Sequence, residues 1–228
     1  MKTIPYASIV GSLMSAQICT RPDIAFIVGM LGRYQSNSGS DHWRVAKKVL
    51  RHLQRTKNYM LIYTRINNLE LIGYADSDHN GCHDSQKSTS GYIFMFANGV
   101  VSWKSAKQSL IATSTMEAQF VPLLKATTHG VWLKNFISGL KIVDSISWPL
   151  RIVCDNSAAV FMAKNNKSGS RSKHIDIKYL AIRERVKDGT VVIEHIGTEL
   201  MIPDPLTKGM QPTKFKGHVD RIGLGSSM

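Results

Sequence analysis

The sequence predicts an α/β fold: a mixed five-stranded sheet flanked by helices and preceded by a small, mainly helical segment. Three observations predict it. The first 65 or so residues carry apolar side chains at helical spacing. From about residue 59, short β-branched and aromatic runs alternate with turn residues. After residue 150, strand-like and helix-like stretches take turns. With 228 residues, 43% of them hydrophobic, the chain can bury a sizeable core, which excludes a disordered polyelectrolyte.

The elements follow in order. Thr20-Arg21-Pro22-Asp23 reads as a turn and helix start, because proline suits a first turn, and Ile24, Ile27, Val28 and Leu31 continue the helix. Ser40 or Asp41 caps the next helix, whose apolar stripe is Trp43, Ala46, Val49, Leu50 and Leu53. Arg44, Lys47, Lys48, Arg51 and Arg55 occupy its other faces, where they can meet phosphate. MLIYT, LELIGYAD, GYIFMFA and VVSW then form an antiparallel meander. Asn98-Gly99 marks a tight hairpin, and the stretch from Cys82 to Ser90 a longer connection. A helix from roughly Thr115 to Leu140 puts Leu124, Val131 and Leu140 on one face, with Pro122 expected to kink it. LRIVCD is a strand ending at Asp155-Asn156 and SAAVFMAKN a helix. Ile175 to Lys187 reads as another helix, TVVIEHI as a strand, and Asp204 to Lys208 as the start of a short helix. Residues 1–65 and 66–210 read as two units, and 211–228 as a loosely ordered basic tail.

Charge narrows the partners. Twenty-nine Lys and Arg against 16 Asp and Glu give a formal charge of +13, which favours a polyanion such as nucleic acid. Cys19, Cys82 and Cys154 form no C-x-x-C pair and leave one unmatched, supporting neither a disulfide frame nor a zinc site. The start of the chain looks superficially like a secretory leader, but Pro5, Ser8, Gly11 and Ser12 interrupt its apolar run, and no stretch is long enough to span a membrane. An intracellular setting is expected, either a cytoplasmic particle or the nucleus.

Against this basic background, Asp76, Glu117, Asp155 and Asp204 stand at strand ends or helix starts in segments that read as core. An uncompensated buried carboxylate is costly, so a divalent cation is the expected counter-charge. Asp155 falls at the C-terminal end of its strand, where open α/β sheets place ligands. If the strands carrying Asp76 and Asp155 are neighbours, Glu117 and Asp204 can reach the same point. Hard oxygen donors without His or Cys suit Mg2+ or Mn2+ rather than Zn2+. Each acid taken alone also reads as a cap or an exposed helix residue.

GYADSDHNG, KSTSGYIFMFANGVVSWKSAKQSLIATSTMEAQF, CDNSAA, RSKHIDIKYLAIRE and DPLTKG, in this order, closely resemble the ribonuclease H domain of copia-type, plant-like retrotransposon Pol polyproteins. YASIVGSLM, CTRPDIAF and HWRVAKKVLRHLQRTK resemble the end of the reverse transcriptase region that precedes it, so residues 1–65 would be its helical C-terminal remnant. The resemblance implies a ribonuclease H-like fold and a metal-dependent nuclease that cuts the RNA strand of RNA/DNA hybrids. It implies two Mg2+ ions, with Mn2+ as a substitute, held by Asp76, Glu117, Asp155 and Asp204. Asp78 competes with Asp76, but the family's Tyr-x-Asp-Ser pattern selects Asp76. His195, nine residues before Asp204, matches a histidine that assists proton traffic or product release; its alternative is a strand-end histidine bonded to backbone. Asn156, Arg171, Lys173, His174 and Lys178 are candidate nucleic-acid contacts, and the rest of the polyprotein is a second partner.

Departures accompany the matches. His79 replaces an aromatic residue, Gln119 a Glu, Ser15 a Tyr, and Pro203 an Ala, while Pro122 and Pro203 lie close to the proposed ligands. A catalytically weak or inactive nucleic-acid-binding remnant is therefore the alternative. Polymerase activity is not expected, because no Tyr-x-Asp-Asp sequence is present.

Overall fold

Eight alternating residues of β3 explain most of the architecture. In the computed structural model, which describes residues 4–67, 69–82, 85–141, 146, 149–165 and 173–226, β3 (Thr89–Phe96) runs between β2 (Ile72–Ser77) and β4 (Gly99–Lys107). Successive strand side chains point to opposite faces. Tyr92 and Phe94 therefore enter one core and Ile93 and Met95 the other, so the sheet is covered on both sides. The sheet order is β4-β3-β2-β5-β6, with β5 (Leu150–Cys154) and β6 (Val191–His195) parallel to β2 and the β2-β3-β4 meander antiparallel. The mixed five-stranded sheet flanked by helices is as the sequence predicts.

On one face lie α4 (Thr115–Gly139), α5 (Ser157–Lys164) and α6 (Lys173–Lys187), whose side chains are described from Leu180 onward. Leu123, Ala126, Leu133, Ala159, Val160 and Ile182 pack there against Phe94, Ile152 and Ile193. Each large aliphatic side chain so buried contributes about 1.5–3 kcal/mol. The buried stripe of α4 runs Gln119, Leu123, Ala126, Gly130 and Leu133. Of the Leu124, Val131 and Leu140 face expected, Leu124 and Val131 pack half-buried against this core beside that stripe, whereas Leu140 is 49% exposed. Gly130 sits where α4 touches the sheet: a Cβ there would lie 2.6 Å from Phe94.

Pro122 does not interrupt α4. Lacking an N–H, it leaves the Ala118 carbonyl without its helical donor. The Gln108 side chain supplies one, its Nε2 donating to Ala118 O at 2.8 Å.

The N-terminal helices α1 (Tyr6–Cys19), α2 (Ala25–Gly32) and α3 (Ser40–Arg55) surround a third cluster of Tyr6, Val10, Leu13, Ile24, Val28, Leu31, Ala46 and Val49. Gly39, not Ser40 or Asp41, is the residue preceding α3, and its N–H donates to His42 Nδ1 at 2.9 Å. This segment meets the second sheet face through Ala25 and through Trp103, whose Nε1 donates to Gln17 O at 2.9 Å.

Three further expectations are corrected. The MLIYT run does not join the main sheet: β1 (Tyr59–Leu61) pairs antiparallel with β7 (Leu224–Ser226). The stretch 211–228, expected to be loosely ordered, contributes α8 (Pro212–Arg221) as well as β7. Val219, Ile222 and Leu224 are buried in the second core, which holds the segment despite its basic composition. The hairpin between β3 and β4 turns at Ala97-Asn98, both in the left-handed region, one residue earlier than expected. Gly99 is needed there for closeness, since a Cβ would sit 2.6 Å from Ile62 O. Among the described residues, no helix is long and apolar enough to cross a membrane.

Candidate metal centre

Parallel pairing of β2 with β5, with Tyr74 opposite Val153, brings the C-terminal ends of the two strands side by side. Asp76 on β2 and Asp155 just after β5 therefore share one sheet edge. A third acid arrives on α7 (Asp204–Thr207), which can approach only because Gly91, opposite Asp76 on β3, has no side chain. A Cβ there would lie 2.8 Å from Thr207 Cγ2 and 3.0 Å from Leu206 Cβ. Ser105 secures the approach by donating to Leu206 O at 2.6 Å.

The polar groups around these acids are mostly paired. Asp76, 2% exposed, accepts from Thr207 Oγ1 at 2.6 Å and from Gln119 Nε2 at 2.9 Å. The same Gln119 nitrogen lies 3.2 Å from Asp155 Oδ1 and 3.2 Å from Ser77 O. Lys208 Nζ stands 3.0 Å from Asp204 Oδ2. Two buried oxygens have no partner: Asp204 Oδ1 and Gln119 Oε1. Beneath them, Gln108 Nε2 donates to Ser77 Oγ at 3.0 Å and Ser90 Oγ at 2.8 Å, tying β2, β3 and α4 together.

The protonation behaviour follows from burial and crowding. Burial, then the charge of Asp76, raises the Asp155 carboxyl above the usual range, opposed by the Thr198 hydroxyl and Lys208. The same two causes push Asp204 up to about 6, against the pull of Lys208. Burial works against the Lys208 charge, but Asp76, Asp204 and Asp155 outweigh it and raise its value. Clustered carboxylates in a half-dry site behave in this way.

Not every expected residue joins the cluster. Glu117 does not: its Oε2 accepts from the Thr113 N–H and Thr113 Oγ1, both at 2.6 Å, clamping the loop before α4. Two residues along a helix turn by about 200°, so Gln119 and Glu117 lie on nearly opposite sides. Gln119 takes the inward place, and the four-acid site becomes three acids and one amide. Asp78, the competitor, receives the Thr89 N–H, and burial raises its carboxyl. His195 Nε2 reaches the backbone oxygen of Asp155 at 3.1 Å, the strand-end arrangement named as its alternative. Asn156 caps α5, its Oδ1 accepting from Ala159 N at 2.9 Å. Arg171 lies outside the described residues, as do the side chains of Lys173, His174 and Lys178.

Sequence reasoning missed Gln119, Thr207 and Lys208 as members of the site. A signal for Gln119 existed: the stripe Leu123, Ala126, Gly130 and Leu133, continued back one turn, arrives at 119 rather than 117.

No family model matches the chain. It is 37% identical over 227 residues, its whole length, to a retrovirus-related Pol polyprotein from transposon TNT 1-94 of Nicotiana tabacum, and spans 17% of that polyprotein. A stretch of 133 residues, 58% of the chain, is 44% identical to secreted RxLR effector protein 161 of Plasmopara viticola and covers 94% of it. Among solved structures, LC11-RNase H1 in complex with RNA/DNA hybrid is similar over 60% of this chain and 93% of its own, with 19% identity and a TM-score of 0.44. From end to end the chain is homologous to retrovirus-related Pol polyproteins of plant copia-type transposons, of whose length it spans 15–17%.

Proposed function

We propose that this chain is the ribonuclease H region of a transposon Pol polyprotein, binding RNA/DNA hybrid and hydrolysing its RNA strand weakly with a divalent cation. The observation that carries this reading is the meeting of Asp76, Asp155 and Asp204 at one edge of the sheet, on a chain with a formal charge of +13. The rest of the polyprotein is its natural covalent partner.

The donor set supports one ion, not two. Three carboxylates, of which Asp204 keeps an unpartnered buried oxygen, are hard donors of the kind a single Mg2+ or Mn2+ takes once the side chains close on it. The expected pair of ions does not fit, because Glu117 is turned to Thr113. Among the described residues, no three His, Cys, Asp or Glu side chains already stand arranged to hold a metal together; Gln119 Nε2 and Lys208 Nζ bond to these acids instead. A bound cation would supply charge stabilisation for hydrolysis at phosphorus. Asp76, Asp155 and Asp204 would hold it, Thr207 would orient Asp76 through its 2.6 Å hydrogen bond, and Gln108 would keep the ends of β2, β3 and α4 in register.

The second reading is a protein that binds hybrid without cutting it. Gln119 in a carboxylate's place and Lys208 on Asp204 favour it. One assay separates the two: the full chain with a labelled RNA/DNA hybrid, with and without Mg2+, beside Asp76→Asn and Asp155→Asn. Mg2+-dependent cutting that either substitution abolishes supports the nuclease. Binding with cutting no faster than in the substituted chains supports the second reading.

A further inference from the structure

We propose that Gln119 and Lys208 are internal counter-groups that hold Asp76, Asp155 and Asp204 together without a metal ion, leaving the site one carboxylate short and weak for divalent cations. The inference rests on reading the three aspartates as a cation site and goes beyond it by assigning what occupies that site's place for a fourth acid.

The geometry is specific. Gln119 Nε2 is within hydrogen-bond distance of carboxylate oxygens on two different strands, 2.9 Å from Asp76 and 3.2 Å from Asp155. An amide nitrogen donates and carries no charge, so it can stand between two carboxylates that would otherwise repel. On the other side, Lys208 at 3.0 Å supplies the positive charge to Asp204. Neither group leaves the site fully satisfied. Asp204 and Gln119 are 6% and 7% exposed, yet Asp204 Oδ1 and Gln119 Oε1 have no donor. Buried acceptors without partners are uncommon, and Asp204 Oδ1, an anionic oxygen in an acid cluster, is one that a cation would satisfy.

Closed and cation-bound forms compete. To offer Oε1 to a cation, the Gln119 amide must turn half a revolution, giving up its hydrogen bonds to Asp76 and Asp155, and the pull of Lys208 on Asp204 must be overcome. Both changes weaken the ion's hold. A glutamate at 119 reverses the balance: without an ion it adds a fourth negative charge to the cluster, and with one it supplies the missing charged ligand.

The test is thermal melting of the full chain in chelator and across a Mn2+ titration, for wild type, Gln119→Glu, Glu117→Gln and Lys208→Met. In chelator, Gln119→Glu melts about 5 °C below wild type. Its half-saturating Mn2+ concentration is at least about tenfold lower, the scale of change seen when a ligand's surroundings are altered. Glu117→Gln titrates like wild type. Lys208→Met removes a competing cation, so its half-saturation also falls, and it keeps the test readable should Gln119→Glu not fold. Half-saturation unchanged or raised in Gln119→Glu overturns the proposal. So does a tenfold weakening in Glu117→Gln, or a rise in Lys208→Met. Cleavage is read separately: a chain that gains Mn2+ affinity on Gln119→Glu yet never cuts hybrid sinks the nuclease reading and leaves this one standing.

Discussion

Replacing Asp23 with asparagine keeps the side chain's shape and removes its charge, at a point where nothing else can supply one. Asp23 sits in the 3-10 turn Pro22–Ile24, with its side chain fully buried. Arg21 grips it twice, Nε to Oδ1 at 2.8 Å and Nη2 to Oδ2 at 2.6 Å, and His52 Nε2 lies 2.7 Å from Oδ2. Arg21 also donates to Thr56 Oγ1 at 2.8 Å, so one carboxylate ties the turn to the end of α3. The turn packs on α7, and Asp23, Pro205, Lys208 and Phe215 line one cavity of about 410 Å3, so the network braces the helix that delivers Asp204. Removing one partner of a buried ion pair costs about 3–5 kcal/mol. For a chain of this size each kcal/mol lowers Tm by roughly 2–4 °C, so Asp23→Asn should melt about 10 °C lower in a calorimetric scan at neutral pH. Acid gives a second signature. Burial alone would raise the Asp23 carboxyl, but Arg21 and His52 hold it below its ordinary value. The folded state therefore releases this proton more readily than the unfolded chain. The stabilisation is complete above the unfolded value of about 3.9 and is lost as pH falls through the lower folded value. The gap between wild type and Asp23→Asn should close only in that acid range. A neutral-pH difference within 2 °C, or a gap that does not change in acid, refutes the assignment of Asp23 as the charge holding this junction.

Two further perturbations test how the elements approach the site. Gly130→Ala places a methyl 2.6 Å from Phe94 and 2.7 Å from Leu150, and should cost about 1–3 kcal/mol of overpacking, read by chemical denaturation. Gly91→Ala pushes against Thr207 and Leu206 and should loosen α7 from Asp76, lowering stability by a similar amount and weakening the Mn2+ response; an unchanged response would show that α7 does not need this contact.

Most of the scaffold was legible because one face of each strand had to be buried. β2 to β6 announced themselves by β-branched and aromatic runs, and the parallel neighbours β2 and β5 delivered Asp76 and Asp155 to one edge, as the strand ends suggested. What sequence could not settle was rotation about a helix axis. Glu117 and Gln119 are two residues apart, and the polar type of each permits either to face inward. Only the packing of Leu123, Ala126 and Gly130 against the sheet decides which does. The 211–228 segment misled for a different reason. Its glycines and basic side chains read as loose chain, but Val219, Ile222 and Leu224 are spaced to reach one core, and β1 offered an open edge to pair with.

Pro122 and Pro203 lie close to the proposed ligands, and neither separates the acids. The carbonyl that Pro122 leaves without a donor is satisfied by Gln108, whose other hydrogen bonds fasten the strand end carrying Asp76 and Ser77. Pro203 immediately precedes α7, and its carbonyl accepts from Leu206 N at 2.8 Å, starting the turn that presents Asp204. Both prolines have thus been absorbed into the support of the site. The departure that matters chemically is smaller than either: one amide for one carboxylate, on the inward face of α4. A backbone distortion would have scattered the acids and left each to find water. An amide keeps them together, so the chain retains its mixed five-stranded sheet and the meeting of its acids intact, and under the proposal above its affinity for an ion, rather than its fold, sets how much chemistry survives.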